Sequence, residues 1–286
     1  MISQEEIVTA QRLANLCDLE YVPGYKISPH NDKKNIIYCK TDYVKSFYRE
    51  CDKNKDCSFV LVTGKSDIPI DKALFDSRPK NIIYWFGENI LYKDEKLTSV
   101  PIGSTIATWI GKQSGACGSQ LSSYVEIEES ENPKKKTNLA YLNFSISTNP
   151  KHRKEVYDFF KQKKWVNFRK CSHPAECPRA CDHWLTIVQY LNEICDHKII
   201  ICPLGNGVDT GRFWYSLYLG CIPLVPNHFN LTFYRDLPFI TYDKLGDVNE
   251  EFLKKEIELI ENKDFNFEKM KIGFWKKKIK EMREKL

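Results

Sequence analysis

Two arginines, each about one helical turn beyond a strand and a polar loop, are the residues of this chain best placed to do chemistry. Arg212 follows Cys202-Pro-Leu-Gly-Asn-Gly-Val-Asp-Thr-Gly211, which itself follows the apolar run Lys198-Ile-Ile-Ile201. Arg153 follows Asn143-Phe-Ser-Ile-Ser-Thr-Asn-Pro150, after the run Asn138-Leu-Ala-Tyr-Leu142. A guanidinium is a planar fork of donors, and the unpaired N–H groups of a helix start carry partial positive charge, so each setting suits a phosphate. Two such settings at one cleft would hold both phosphates of a nucleotide sugar without a metal and stabilise the departing diphosphate. Taken singly, each arginine also fits a surface salt bridge.

Transfer to a hydroxyl also needs a base. Asp67 lies in the loop Thr63-Gly-Lys-Ser-Asp-Ile-Pro69 after the run Ser58-Phe-Val-Leu-Val62, at the mouth of a sheet, where a carboxylate can take a proton; a plain turn residue is the competing reading. Glu88, after Trp85-Phe-Gly87, is the alternative base, and the lone His197 reads as structural. Cys171 to His183 gathers three thiols and two imidazoles, enough for a tetrahedral zinc site, but the spacing matches no zinc module. A surface loop with reduced cysteines is the reading taken there, and no metal or other cofactor is expected.

The elements that position these residues follow from short apolar runs separated by helix-length polar stretches, the pattern of a parallel sheet. In the first part strands are expected at 35–38, 58–62, 81–85 and 97–103, with a helix over 42–51 and another helix-length segment after Pro69. The charged stretch Glu126 to Lys136 reads as a linker. Strands then recur at 138–142, 165–168, 198–201, 222–225 and 237–242, with helices after Pro150, over 184–195, from about Asp209 to Gly220, and over 250–260. Asp209 and Thr210 are candidate caps of the helix carrying Arg212, and Gly220 ends it. Two Rossmann-like α/β domains facing a central cleft are therefore expected, over residues 1–130 and 131–265, followed by a basic helix over 266–286 that packs back on the first.

Composition narrows the partners. The 286 residues are 42% hydrophobic and 13% aromatic, a globular balance. The net charge is +5, and the segment Lys271 to Leu286, with seven Lys or Arg against two Glu, carries all of that excess. A nucleic-acid face would spread its basic residues, so none is expected. Trp275, Ile279, Met282 and Leu286 form an apolar stripe that suits packing better than membrane binding. No run approaches a membrane span and Met1-Ile-Ser-Gln-Glu-Glu-Ile7 lacks the order of a secretory leader. Eleven scattered cysteines then read as reduced thiols, with a cytoplasmic location expected.

Ser66-Asp67, Trp85-Phe-Gly-Glu-Asn89, Ser99-Val-Pro-Ile-Gly103, Asn143 to Asn149 with Arg153, and Cys202 to Val225 together resemble the exostosin-like glycosyltransferases of GT-B architecture, in particular their compact bacterial and algal-virus members. The resemblance spans roughly Ser58 to Leu253, and the last two stretches are its most specific part. It implies inverting transfer from a nucleotide sugar, usually a uridine diphosphate sugar, to a hydroxyl of a glycan or glycoprotein. It places the donor against Asn143, Ser145, Thr148, Asn149, Arg153, Gly205, Asn206, Gly207, Asp209, Thr210, Arg212 and Tyr215, with Asp67 and Arg212 catalytic. Xylose and glucuronic acid are the first sugars by analogy; a fucosyltransferase using a guanosine donor and an inactive carbohydrate-binding protein are the rivals. Tyr215 stands where relatives carry a ribose-holding glutamate, a departure that bears on donor affinity and nucleotide identity.

Overall fold

The computed structural model describes residues 2–24, 26–27, 34–104, 135–168 and 187–285. The Cys171 to His183 cluster and nearly all of the expected linker lie outside them. The fold is α/β, with two five-stranded, wholly parallel sheets.

In the first sheet the spatial order follows the chain: β1 (Leu19–Tyr21), β2 (Lys34–Lys40), β3 (Ser58–Gly64), β4 (Ile82–Gly87) and β5 (Leu97–Ser99). Right-handed crossovers that always step the same way put their helices on one face. Accordingly α2 (Val44–Lys53) and α3 (Lys72–Asp76) cover Ile37, Cys39, Phe59, Leu61 and Trp85 with Val44, Phe47, Cys51 and Phe75. The alternate strand residues Ile36, Tyr38, Val60, Val62 and Phe86 point to the opposite face, which those crossovers leave bare. The chain ends cover it. There α1 (Ala10–Ala14) brings Leu13, and α8 (Ile272–Glu284) brings Trp275 and Ile279, with Arg283 paired to Asp18.

The second sheet runs β10 (Ile240–Tyr242), β9 (Ile222–Pro226), β8 (His197–Ile201), β6 (Asn138–Leu142), β7 (Val166–Phe168). Helices α4 (Pro150–Phe160) and α7 (Glu250–Glu261) cover one face, while α5 (Ile187–Cys195) and α6 (Gly211–Tyr218) cover the other. The chain leaves β6 toward β7 and then returns past β6 to β8, so the connections diverge between β6 and β8. In open parallel sheets that divergence opens a crevice at the carboxyl ends of the two strands, where ligands bind.

A single apolar cluster runs through both halves and joins Val60, Val62 and Phe86 to Trp214, Tyr218 and Trp275. Tyr218 ties the chain ends to it, its hydroxyl accepting from the Val8 amide (2.9 Å) and donating to the Met270 carbonyl (2.7 Å). Gly220, at φ +64°, turns the chain out of α6 in the left-handed region that glycine tolerates best. Among the described residues no helix is long and apolar enough to cross a membrane.

Candidate functional site

Arg153 and Arg212 lie at the crevice between β6 and β8. Pro150 starts α4, where its missing N–H costs nothing, and sets Arg153 on the first turn after the loop that leaves β6. Gly211 starts α6 after the loop that leaves β8, and Arg212 is its second residue. Both guanidiniums approach the ring of Phe144, with Cζ at 5.6 Å for Arg153 and 5.7 Å for Arg212 from the centroid.

Arg153 is only 6% exposed. Its Nε donates to the Leu204 carbonyl and its Nη1 to the Ser145 carbonyl, both at 2.8 Å. Three of its five donors remain for something else. Arg212 donates through Nε to the Tyr190 hydroxyl (3.0 Å). Burial first, and the charge of Arg212 second, lower the pKa of Arg153 to about 10, which leaves it charged at neutral pH. For Arg212 burial again opposes the charge, but Tyr190 and Tyr215 outweigh it and the pKa rises. Among the described residues no carboxylate pairs with either arginine. Two partly desolvated like charges are costly to hold together, a cost that an anion between them would relieve.

Of the other expected donor-site residues, some brace the loops around the two arginines and some face elsewhere; Gly207 lies against the Asn89 side chain. Asn149 braces the loop, donating through Nδ2 to the Gly205 carbonyl at 2.8 Å, and Gly205 lies against the Arg153 guanidinium. Ser145 gives its carbonyl to Arg153 and shares a hydroxyl contact with Ser147 (2.8 Å), and Thr148 is half-buried in the short turn before α4. Asn206 reaches the other half of the molecule, its Nδ2 donating to Asp67 Oδ2 at 3.1 Å. Asp67 is exposed, and this bond puts its carboxylate beside the 205–210 loop.

Asn143, Asp209 and Tyr215 have their polar groups turned elsewhere. Asn143 donates to the Tyr141 hydroxyl (2.8 Å), which in turn bonds Glu193. Tyr215 is buried with its hydroxyl 3.1 Å from that of Tyr190, so it orients the partner of Arg212. Asp209 is 8% exposed and accepts from the Ile102 amide and the Trp214 indole, each at 2.8 Å. Burial raises its pKa to about 7 against the pull of the Ile102 and Thr210 amides and the Trp214 indole. Thr210 occupies the cap position of α6 but makes no side-chain cap bond. The capping expected of Asp209 and Thr210 is corrected: neither side chain accepts from an N–H of the helix start, and the Asp209 carboxylate is taken up by the Ile102 amide and the Trp214 indole.

Glu88 is 1% exposed, and neither carboxylate oxygen makes a well-formed hydrogen bond. Burial pushes its pKa well above the carboxylate range; Asp209 and Asp67 add to this, and the Lys65 amide and ammonium offset only part. An enclosed carboxyl whose neutral form burial favours is ill suited to take a proton from a substrate, and of the two carboxylates expected as candidate bases only Asp67 is exposed. Between the ordinary value near 4.5 and the raised native one, the folded state holds a proton that the unfolded chain has released, so stability falls as pH rises. Glu88→Gln cannot ionise. It should melt above the parent at pH 8 and level with it at pH 4.5, by calorimetry.

His197 stands at the start of β8, away from the carboxyl edge, where its ring stacks on Tyr141 at 4.8 Å and Nδ1 meets the Glu193 carbonyl. Sequence reasoning overlooked Phe144, Tyr190 and Asn89 as parts of the site. Phe144 sat inside a motif already singled out, whereas nothing local marks a tyrosine that contacts an arginine 22 residues later. Among the described residues no group of three or more His, Cys, Asp or Glu is arranged to hold a metal. No protein-family model and no curated protein matches the chain.

Proposed function

We propose that the protein is an inverting glycosyltransferase that takes a sugar from a nucleoside diphosphate donor, with its two halves arranged in the GT-B manner. The observation that carries this reading is the pair of guanidiniums, Arg153 buried and Arg212 partly so, that have no carboxylate partner among the described residues at the crevice between β6 and β8. A diphosphate fits that charge. The Asn206–Asp67 contact supports a cleft that brings an acceptor-side carboxylate to the anion loop.

In the proposed reaction Asp67 takes the proton of an acceptor hydroxyl as its oxygen attacks the anomeric carbon. The bond from that carbon to the diphosphate oxygen breaks, and the electron pair leaves with the nucleoside diphosphate. Arg153 and Arg212 stabilise the charge that develops there. A uridine diphosphate sugar carrying xylose or glucuronic acid is the donor to try first, on the strength of the family resemblance. Tyr215 offers no carboxylate to a ribose, so the diphosphate should supply most of the donor affinity.

Thermal melting with uridine diphosphate, guanosine diphosphate and pyrophosphate tests the binding, since a ligand of the folded state at a hundred times its Kd adds about 2.7 kcal/mol. A rise with a nucleoside diphosphate, followed by sugar release from the matching donor, is expected. The arginines supply the charge that a divalent ion supplies in other transferases, so turnover should persist in EDTA. Melting that none of the three ligands moves would reject the site.

A further inference from the structure

Asn89 joins the two loops on which this reading depends. It follows β4 in the first half, is buried, and adopts φ +54°, a left-handed conformation that asparagine tolerates better than most residues. Its side-chain amide is used at both ends. Nδ2 donates to the Ser66 carbonyl at 3.0 Å, next to Asp67, and Oδ1 accepts from the Asp209 amide at 2.8 Å, in the loop leading to Arg212. Its own carbonyl accepts from the Ile70 amide at 3.1 Å, which closes the 66–70 loop around it.

The loop from the second half is shaped to receive this amide. A Cβ at position 207 would lie 2.6 Å from Asn89 Oδ1 and 2.8 Å from Nδ2, so Gly207 admits the side chain that any larger residue would displace. Two further bonds cross at the same place: Ile102 amide to Asp209 Oδ2 and Asn206 to Asp67. The first is part-buried and the second exposed, where a single hydrogen bond adds little by itself. Asn89 is thus the buried link among those that join the Asp67 segment to the loop before Arg212.

We propose that Asn89 is a positioning residue that holds the Asp67 segment and the 205–210 loop in one register, so that an anion bound between Arg153 and Arg212 also stiffens residues 66–68 on the opposite half. The second statement rests on the anion-site reading above; the first does not. Coupling of this kind would let the bound donor order the base that serves the acceptor. Its physical basis is one buried amide with two partners, either of which loses a bond if the other moves away.

Amide hydrogen exchange on the full chain tests both statements, with inorganic pyrophosphate as the probe. Asn89→Gly deletes the side chain while tolerating φ +54°, and Gly207→Ala pushes the amide aside without changing its chemistry. Without ligand, both variants should exchange at least tenfold faster at residues 66–68 and at the Asp209 amide together. Unchanged exchange at either loop in both variants overturns the positioning role. In the parent, pyrophosphate should slow exchange at residues 66–68; in Asn89→Gly it should still bind and still protect the 205–210 loop, but without that remote effect. Remote protection that survives Asn89→Gly overturns the coupling. A parent that fails to bind pyrophosphate overturns the anion site and the coupling with it, and the ligand-free exchange still decides the positioning role.

Discussion

Replacing Arg212 by alanine is expected to lower catalytic efficiency for sugar transfer by about a hundredfold, the typical loss when one preorganised charge donor is removed from a reaction that develops an anion. The folding cost should be small in comparison. Among the described residues the Arg212 side chain makes one hydrogen bond, to Tyr190, and the Tyr190 hydroxyl keeps Tyr215 as a partner when the guanidinium is gone. Arg153 would then lose a like-charged neighbour, and its pKa should rise toward the ordinary guanidinium value. Arg212→Lys separates charge from geometry: an ammonium keeps the charge but cannot bond the Tyr190 hydroxyl and two phosphate oxygens from one plane, so an intermediate loss is expected. Steady-state kinetics on variants with parent-like melting make the comparison. Efficiency equal to the parent in Arg212→Ala would remove this residue from the site.

Most of the scaffold was legible because the parallel strands are continuous apolar runs that need no partner to be recognised. The runs 138–142, 198–201 and 222–225 each mark a strand within a residue or so, and Asn249 caps α7 one residue before the expected start by accepting from the Phe252 amide. Two of the misses share a cause. β1 is three residues long with only Tyr21 buried, and α1 is a five-residue turn, so neither builds a periodic signal. The strand expected over 237–242 begins only at Ile240. The Leu237 amide closes a turn onto the Tyr234 carbonyl, and Pro238 has no N–H to give a ladder.

The candidate site was legible as two motifs but not as one structure. Residue type and local order put Arg153 and Arg212 one turn beyond their strands, and the fold adds that those strands flank the divergence in the second sheet. What a residue bonds across the molecule leaves no local mark. Asp209, expected at the donor, serves the Ile102 amide 107 residues earlier, and Asn89 meets the Asp209 amide 120 residues later. A carboxylate in a glycine-rich loop looks the same in sequence whether it faces a ligand or a neighbouring loop. Burial decides between them, and burial is a property of the assembled halves.

Trp275→Ala is expected to be the most destabilising single change, by about 3–5 kcal/mol, the usual cost of truncating a fully buried large aromatic side chain. The reason begins with strand order. Because β1 to β5 run in sequence, the crossover helices α2 and α3 share one face, and the other face of the sheet is covered by the two ends of the chain. Trp275 is 2% exposed within that cover and its indole donates to the Lys269 carbonyl at 2.9 Å, so the substitution both opens a cavity and leaves that carbonyl short of a donor. The lysines of the same helix do not share this role: Lys276, Lys277 and Lys280 are exposed, and Lys277→Glu should leave melting close to the parent. Calorimetry on the two variants separates a packing helix from a basic tether. A tether would show the reverse, with melting indifferent to Trp275 and binding to anionic vesicles lost on charge reversal, whereas a helix whose apolar stripe is spent on the sheet has no hydrophobic face left to insert.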